Sequence, residues 1–113
     1  MFNKDVIAKV KEANPNKDLF IGKINFNDQS KKAHEVEFIY RKPTVADMEF
    51  FNSQASKNAM AAQNNLINNL IVYPDKKEVI EKIKDYPAVV AEFVESQISP
   101  FFGAQIVSES LQI

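Results

Sequence analysis

Between residues 34 and 41 apolar and polar side chains alternate. Val36, Phe38 and Tyr40 fall on one side of the chain and Glu35 and Glu37 on the other, with Ile39 the exception. A period of two places alternate residues on opposite faces of a strand. Residues 18–26 carry a looser version, in which Phe20, Ile24 and Phe26 share a face. The polar segment Asn27–Ala33 between the two runs predicts an antiparallel hairpin with one buried face. Two strands alone are marginal in water, so the aromatic face needs a cover of helices or of another chain.

Elsewhere the period is helical. Val6, Ile7 and Val10, set among Lys4, Lys9, Lys11 and Glu12, predict a short helix over residues 4–13. Asn14-Pro15-Asn16 stops it, because proline lacks an N–H and asparagine favours turns. Pro43 ends the strand region. Thr44 followed by Asp47 reads as a helix cap with an acid in the first turn, and Val45, Met48, Phe50 and Phe51 supply an apolar stripe to about Ala55. Met60, Leu66, Ile67, Leu70 and Ile71 predict a second helix of this part, from about Asn58 to Val72, broken by Pro74. Asp75 with Glu78 reads as a capping-box variant opening a third, whose apolar side is Val79, Ile80 and Ile83. Pro87, suited to the first helical position, opens a fourth that holds Val90, Phe93, Val94 and Ile98; Pro100 is expected to stop or kink it.

These elements predict an α+β fold in a single domain over residues 1–113: a short N-terminal helix, an antiparallel β-hairpin, then a C-terminal bundle of about four helices. Its parts are a helix plus hairpin over 1–43, a helical part over 44–100 and an apolar tail over 101–113. The tail is unusual. Chain ends are commonly polar and loose, yet this one carries Phe101, Phe102, Ile106, Val107, Leu111 and Ile113. Two readings stand open. The tail folds back on its own hairpin as a third strand, or it docks on another subunit, since apolar stretches and added strands are common means of docking. These six residues are the candidate partner-binding set.

Composition narrows the chemistry. With 45% apolar and 26% charged residues the 113-residue chain is ordinary globular material. The net charge of −1 divides into +3 over residues 1–43 and −4 over residues 44–113, too mild for a nucleic-acid footprint. Cysteine is absent, which excludes disulfides, thiolate metal sites and a cysteine nucleophile. His34 is the only histidine and reads as a surface residue beside the polar loop. Gly22 and Gly103 are the only glycines, too few for a loop that cradles phosphate. The pairs Glu35/Glu37, Glu78/Glu81 and Glu92/Glu95 read as solvated charge. Asn64, Asn65, Asn68 and Asn69 share one helix with Lys57 as the sole nearby base, which speaks against groove reading. The nine Phe and three Tyr read mainly as core. Residues 1–10 lack the apolar run of a signal peptide, and no apolar stretch approaches the roughly 20 residues of a membrane span. The expectation is a cytoplasmic, non-enzymatic protein without cofactor, metal, nucleic acid or membrane.

From the hairpin onward, short motifs follow in order: Phe38-Ile39-Tyr40-Arg41-Lys42-Pro43-Thr44, Asp47, Phe50-Phe51, Asn65-Leu66, Tyr73-Pro74-Asp75 and Tyr86-Pro87. Over about residues 18–103 this order resembles the small tail assembly chaperones of long-tailed phages and prophages. The resemblance implies a protein partner, the tape measure protein, which such chaperones keep soluble during assembly while helping to recruit tail tube protein. It implies action in the bacterial host cytoplasm, absence from the finished virion, and in some members a longer frameshifted form. Self-association into a homo-oligomer is compatible with it. The alternatives are a small DNA-binding regulator, against which the −4 balance of residues 44–113 counts, and a structural tail component of the virion.

Overall fold

The computed structural model describes residues 2–101. In chain order they form α1 (Lys4–Ala13), β1 (Leu19–Asn27), β2 (Ala33–Arg41), α2 (Val45–Ala55), α3 (Ala59–Leu70), β3 (Ile71–Tyr73), α4 (Lys76–Ile83), α5 (Pro87–Phe93) and a π-helix (Val94–Ile98). The α+β architecture is the one the hydrophobic pattern predicts.

The hairpin pairs without a slip from Leu19↔Arg41 to Asn27↔Ala33. Its loop is held by Asp28, whose Oδ1 accepts from the amides of Ser30 (2.9 Å) and Lys32 (3.0 Å). Lys31 closes the turn in the left-handed region at φ 63°. One sheet face carries Ile24, Val36, Phe38 and Tyr40, all buried under Leu66, Ile67, Leu70, Val79, Ile83, Val90, Phe93, Val94 and Ile98 from the helices. Three rings meet at the centre: Phe93 lies 5.3 Å from Phe38 and 5.7 Å from Tyr40, edge to face with both. On the opposite face, Ile7 and Lys11 of α1 line a cavity of about 360 Å³ together with Leu19, Ile21 and Ile39. The sheet thus lies between α1 on one face and α3, α4, α5 and the π-helix on the other.

Helix starts follow local chemistry. Thr44 and Asp47 form a reciprocal capping box at α2. Asn3 caps α1, Asn58 caps α3, and Pro87 takes the first turn of α5. Asp75 caps α4 through the amide of Lys77 (2.9 Å), with Glu78 supplying the first-turn acid in place of the reciprocal bond of the expected box. The Asn58 carboxamide oxygen accepts from the amide of Ala61 at 3.1 Å. Asn58→Ala is therefore expected to cost about 1 kcal/mol, read as a fall in Tm of roughly 5 °C in a thermal melt.

Three features depart from the sequence expectation. The helix expected to run to Val72 ends at Leu70, and Ile71–Tyr73 form β3 beside β2, with pairs Ile39↔Tyr73 and Tyr40↔Ile71. Two β-branched residues and an aromatic favour the strand, and the residue before a proline is driven out of the α region. Among the described residues the sheet's third strand is thus supplied by the segment after α3 and lies at an edge beside β2. The helix expected over the Val90–Ile98 stretch is α-helical only to Phe93 and then widens to π, closing with Ser99 N–H to the Val94 carbonyl (2.9 Å). Val94 and Ile98 stay buried in the wider turn. Lastly, the apolar stripe assigned to α2 meets the core only at its edge, through Phe51, and no residue of α2 is fully buried.

Candidate interaction surface

The junction between β2 and α2 is fixed by charge. The Arg41 guanidinium donates to both Asp47 carboxylate oxygens, Nη1 at 2.7 Å and Nη2 at 3.0 Å. The same carboxylate accepts from the Thr44 amide (2.8 Å) and hydroxyl (3.0 Å). These donors stabilise the ionised acid, the Arg41 hydrogen bonds foremost, and hold Asp47 at about 2. Pro43, buried between them, ends the strand. Arg41-Lys42-Pro43-Thr44 therefore acts as a rigid corner that sets the direction of α2.

What this corner aims outward is apolar. The principal neighbour of α2 is α3. Val45 is 60% exposed, Phe50 55%, and Met60, in the first turn of α3, 54%. Phe51 reaches the edge of the core. The adjacent Phe50 points away because consecutive residues on a helix stand about 100° apart. The Gln54 side-chain oxygen is buried with no hydrogen-bond partner among the described residues. The α2–α3 hairpin thus presents large apolar side chains on a positioned, unburied helix. Sequence reasoning assigned Val45, Phe50 and Met60 to apolar stripes; the signal that separates them is the Phe50-Phe51 doublet, since both rings cannot face α3.

Of the candidate partner-binding residues, Phe101 is described. Its ring stands edge to face with Phe20 at 5.1 Å, and Phe20 stacks on Tyr40 at 5.7 Å, which sets Phe101 beside β1. Phe102, Ile106, Val107, Leu111 and Ile113 lie outside the described residues.

His34, Asp28 and several of the paired carboxylates are occupied structurally. His34 is half-buried where a surface residue was expected. Its ring stacks on Phe26 at 4.8 Å, lies 5.4 Å from Tyr86, and brings Nε2 to 2.9 Å from Asp28 Oδ2. That hydrogen bond, aided by the Lys32 amide, lowers the Asp28 carboxyl below its ordinary value. The cluster ties the hairpin loop to the start of α5. Glu35 and Glu37 share Lys23 (3.3 and 3.6 Å), and Glu81 pairs with Lys84 (2.7 Å). Among the described residues no three His, Cys, Asp or Glu side chains could jointly hold a metal ion, and no helix is long and apolar enough to cross a membrane.

Comparison with known proteins places this geometry. Residues 13–105 match the family described as domain of unknown function DUF6848. The chain belongs to that family. No curated protein matches it. Among solved structures, the chain is similar to the uncharacterised protein rbstp2171 from Bacillus stearothermophilus, with a TM-score of 0.62 and 18% identity over 87% of this chain and 92% of that one. At that identity the likeness shows a shared fold.

Proposed function

We propose that this DUF6848 protein is a non-enzymatic tail assembly chaperone of phage or prophage type, which binds a tape measure protein and keeps it soluble while the tail is built. The observation that carries the reading is α2, a helix with no fully buried residue that leaves Val45 and Phe50 in water. Short helices draw most of their stability from burying an apolar face, and exposed apolar surface marks contacts with other proteins. A partner helix laid against α2 and the first turn of α3 would cover Phe50 and Met60. Met60 adds packing that adapts to more than one partner sequence. The apolar side chains that follow Phe101 extend the same capacity, with tail tube protein or a second copy of the chain as further partners. The ordered motifs from Phe38 to Pro87 support the phage assignment, and the bacterial host cytoplasm is the setting it entails.

The test is co-expression with a tape measure protein from the same gene cluster, whose absence from that cluster would itself count against the reading, followed by affinity capture. A stoichiometric complex is expected at micromolar concentration. Phe50→Asp together with Met60→Asp, both exposed in the isolated chain, is expected to weaken it about tenfold or more at unchanged melting temperature. A folded protein that captures no tape measure protein at micromolar concentration would defeat the assignment.

A further inference from the structure

β2 lies between β1 and β3, so one edge of β1 carries no strand among the described residues. Beyond the two ends of the hairpin, Asp28 N–H bonds the Lys32 carbonyl (3.0 Å) and Lys42 N–H bonds the Asp18 carbonyl (2.9 Å). Hydrogen-bonded pairs alternate along an antiparallel ladder. Even-numbered residues of β1 therefore turn their main-chain groups to β2, and Leu19, Ile21, Lys23, Asn25 and Asn27 turn theirs outward.

Along that outward edge runs a groove of about 330 Å³, with β1 on one side and α5 and the π-helix on the other. Ile24, Phe26, Val89 and Phe93 give it an apolar floor, and Glu92 and Gln97 stand on its far wall. Lys23, on the near side, is already paired with Glu35 and Glu37. Glu92 is exposed and has no ion-pair partner among the described residues, which leaves one uncompensated carboxylate on the far wall of the groove. The π turn that builds part of the wall is a form found often at functional sites.

We propose that this groove receives an extended segment of a partner protein, added to β1 as a strand, with apolar side chains at alternate positions and a basic residue close to Glu92. Three features select that occupant. A strand offers free main-chain donors and acceptors to the outward groups of β1, whereas a helix has spent its own. A floor on one side of the added strand is met by every second side chain. An unpaired carboxylate at the rim favours a cation. The site is separate from the exposed face of α2 and does not rest on the tape measure assignment.

The experiment uses the full chain and a fluorescein-labelled peptide of the length of β1 that alternates Val with Thr and ends in Lys on both sides. Fluorescence anisotropy is expected to show saturable binding in the micromolar range. Methylating the amides along one edge of the peptide, with the side chains unchanged, is expected to weaken binding at least about tenfold. Glu92→Lys, at an exposed position, is expected to weaken the unmodified peptide several-fold with the melting temperature held. Hydrogen exchange should slow at Ile21, Lys23 and Asn25 in the complex. Absence of binding, indifference to amide methylation, or protection confined to α2 would overturn the proposal. So would pairing of β1 with a second copy of the chain in place of the peptide.

Discussion

Gly22→Val is expected to destabilise the protein by about 3 kcal/mol, a fall in Tm of roughly 10–20 °C. Gly22 pairs with Phe38 across the hairpin, and the Phe38 ring lies over the glycine. A Cβ at position 22 would stand 2.7 Å from both Cε2 and Cζ of that ring, inside van der Waals contact. The ring has nowhere to go. Phe38 is fully buried, with Phe93 at 5.3 Å and Tyr40 at 6.0 Å. Relief therefore means moving a strand or opening the aromatic cluster. Phe38→Leu alone removes ring atoms and is itself destabilising, but in the Gly22→Val background it also removes the clash. The double variant should be more stable than the sum of the single changes allows, by about 1–2 kcal/mol in a urea-denaturation cycle. A Gly22→Val protein melting within about 3 °C of the parent would show that the sheet yields at low cost.

Asp47→Ala should cost about 2 kcal/mol near neutral pH, because it removes a cap and leaves the Arg41 guanidinium without its partner. The Asp47 side chain is 13% exposed and that of Arg41 20%, so water screens the pair only in part. The pH dependence gives a sharper test. The folded pKa of Asp47, about 2, lies below its ordinary 3.8. For a depressed acid, the contribution is fully present above the unfolded pKa and is lost as pH falls through the folded one. From about pH 5 downwards the parent should lose about 2 kcal/mol through this group, and Asp47→Ala should lose none of that part. Asp28 contributes in the same direction, but both proteins carry it and it cancels in the difference. Urea midpoints for the two proteins should converge as pH approaches about 2. A gap of the same size at acid and neutral pH would mean that the carboxylate charge is not what holds the corner.

Much of this molecule was legible in the sequence where local chemistry decides the structure. The alternation of residues 34–41, Pro15, Pro43, Pro74 and Pro87, and the Thr44/Asp47 cap depend on neighbours within a few positions. They gave the hairpin, the end of α1 and the starts of α2, α4 and α5. What stayed hidden depends on distant partners. Ile71–Tyr73 continue the apolar pattern of α3; their β-branched residues and Pro74 favour an extended chain, and the free edge of β2, invisible in the sequence, makes a strand of it. The π-helix leaves no mark in the spacing of Val94 and Ile98, which suits an α-helix equally well. The candidate surface was legible only in part. The tail drew attention by its greasy composition, whereas the exposure of Phe50 and Met60 depends on how far α2 stands from the core. The edge of β1 carries no signal of its own, because no sequence pattern tells an outer strand from an inner one in so small a sheet.

The sheet is assembled from parts of very different separation along the chain. β1 and β2 meet through a five-residue turn spanning residues 28–32, whereas β3 reaches β2 only after α2 and α3 have been traversed. Closing a longer loop costs more entropy, and distant pairings form later than near ones. During synthesis the hairpin can zip while the rest of the chain is still inside the ribosome. Its aromatic face then waits, uncovered, for the helices that follow. A nascent chain whose hairpin has emerged while α3, α4 and α5 have not would therefore present that bare face to its surroundings.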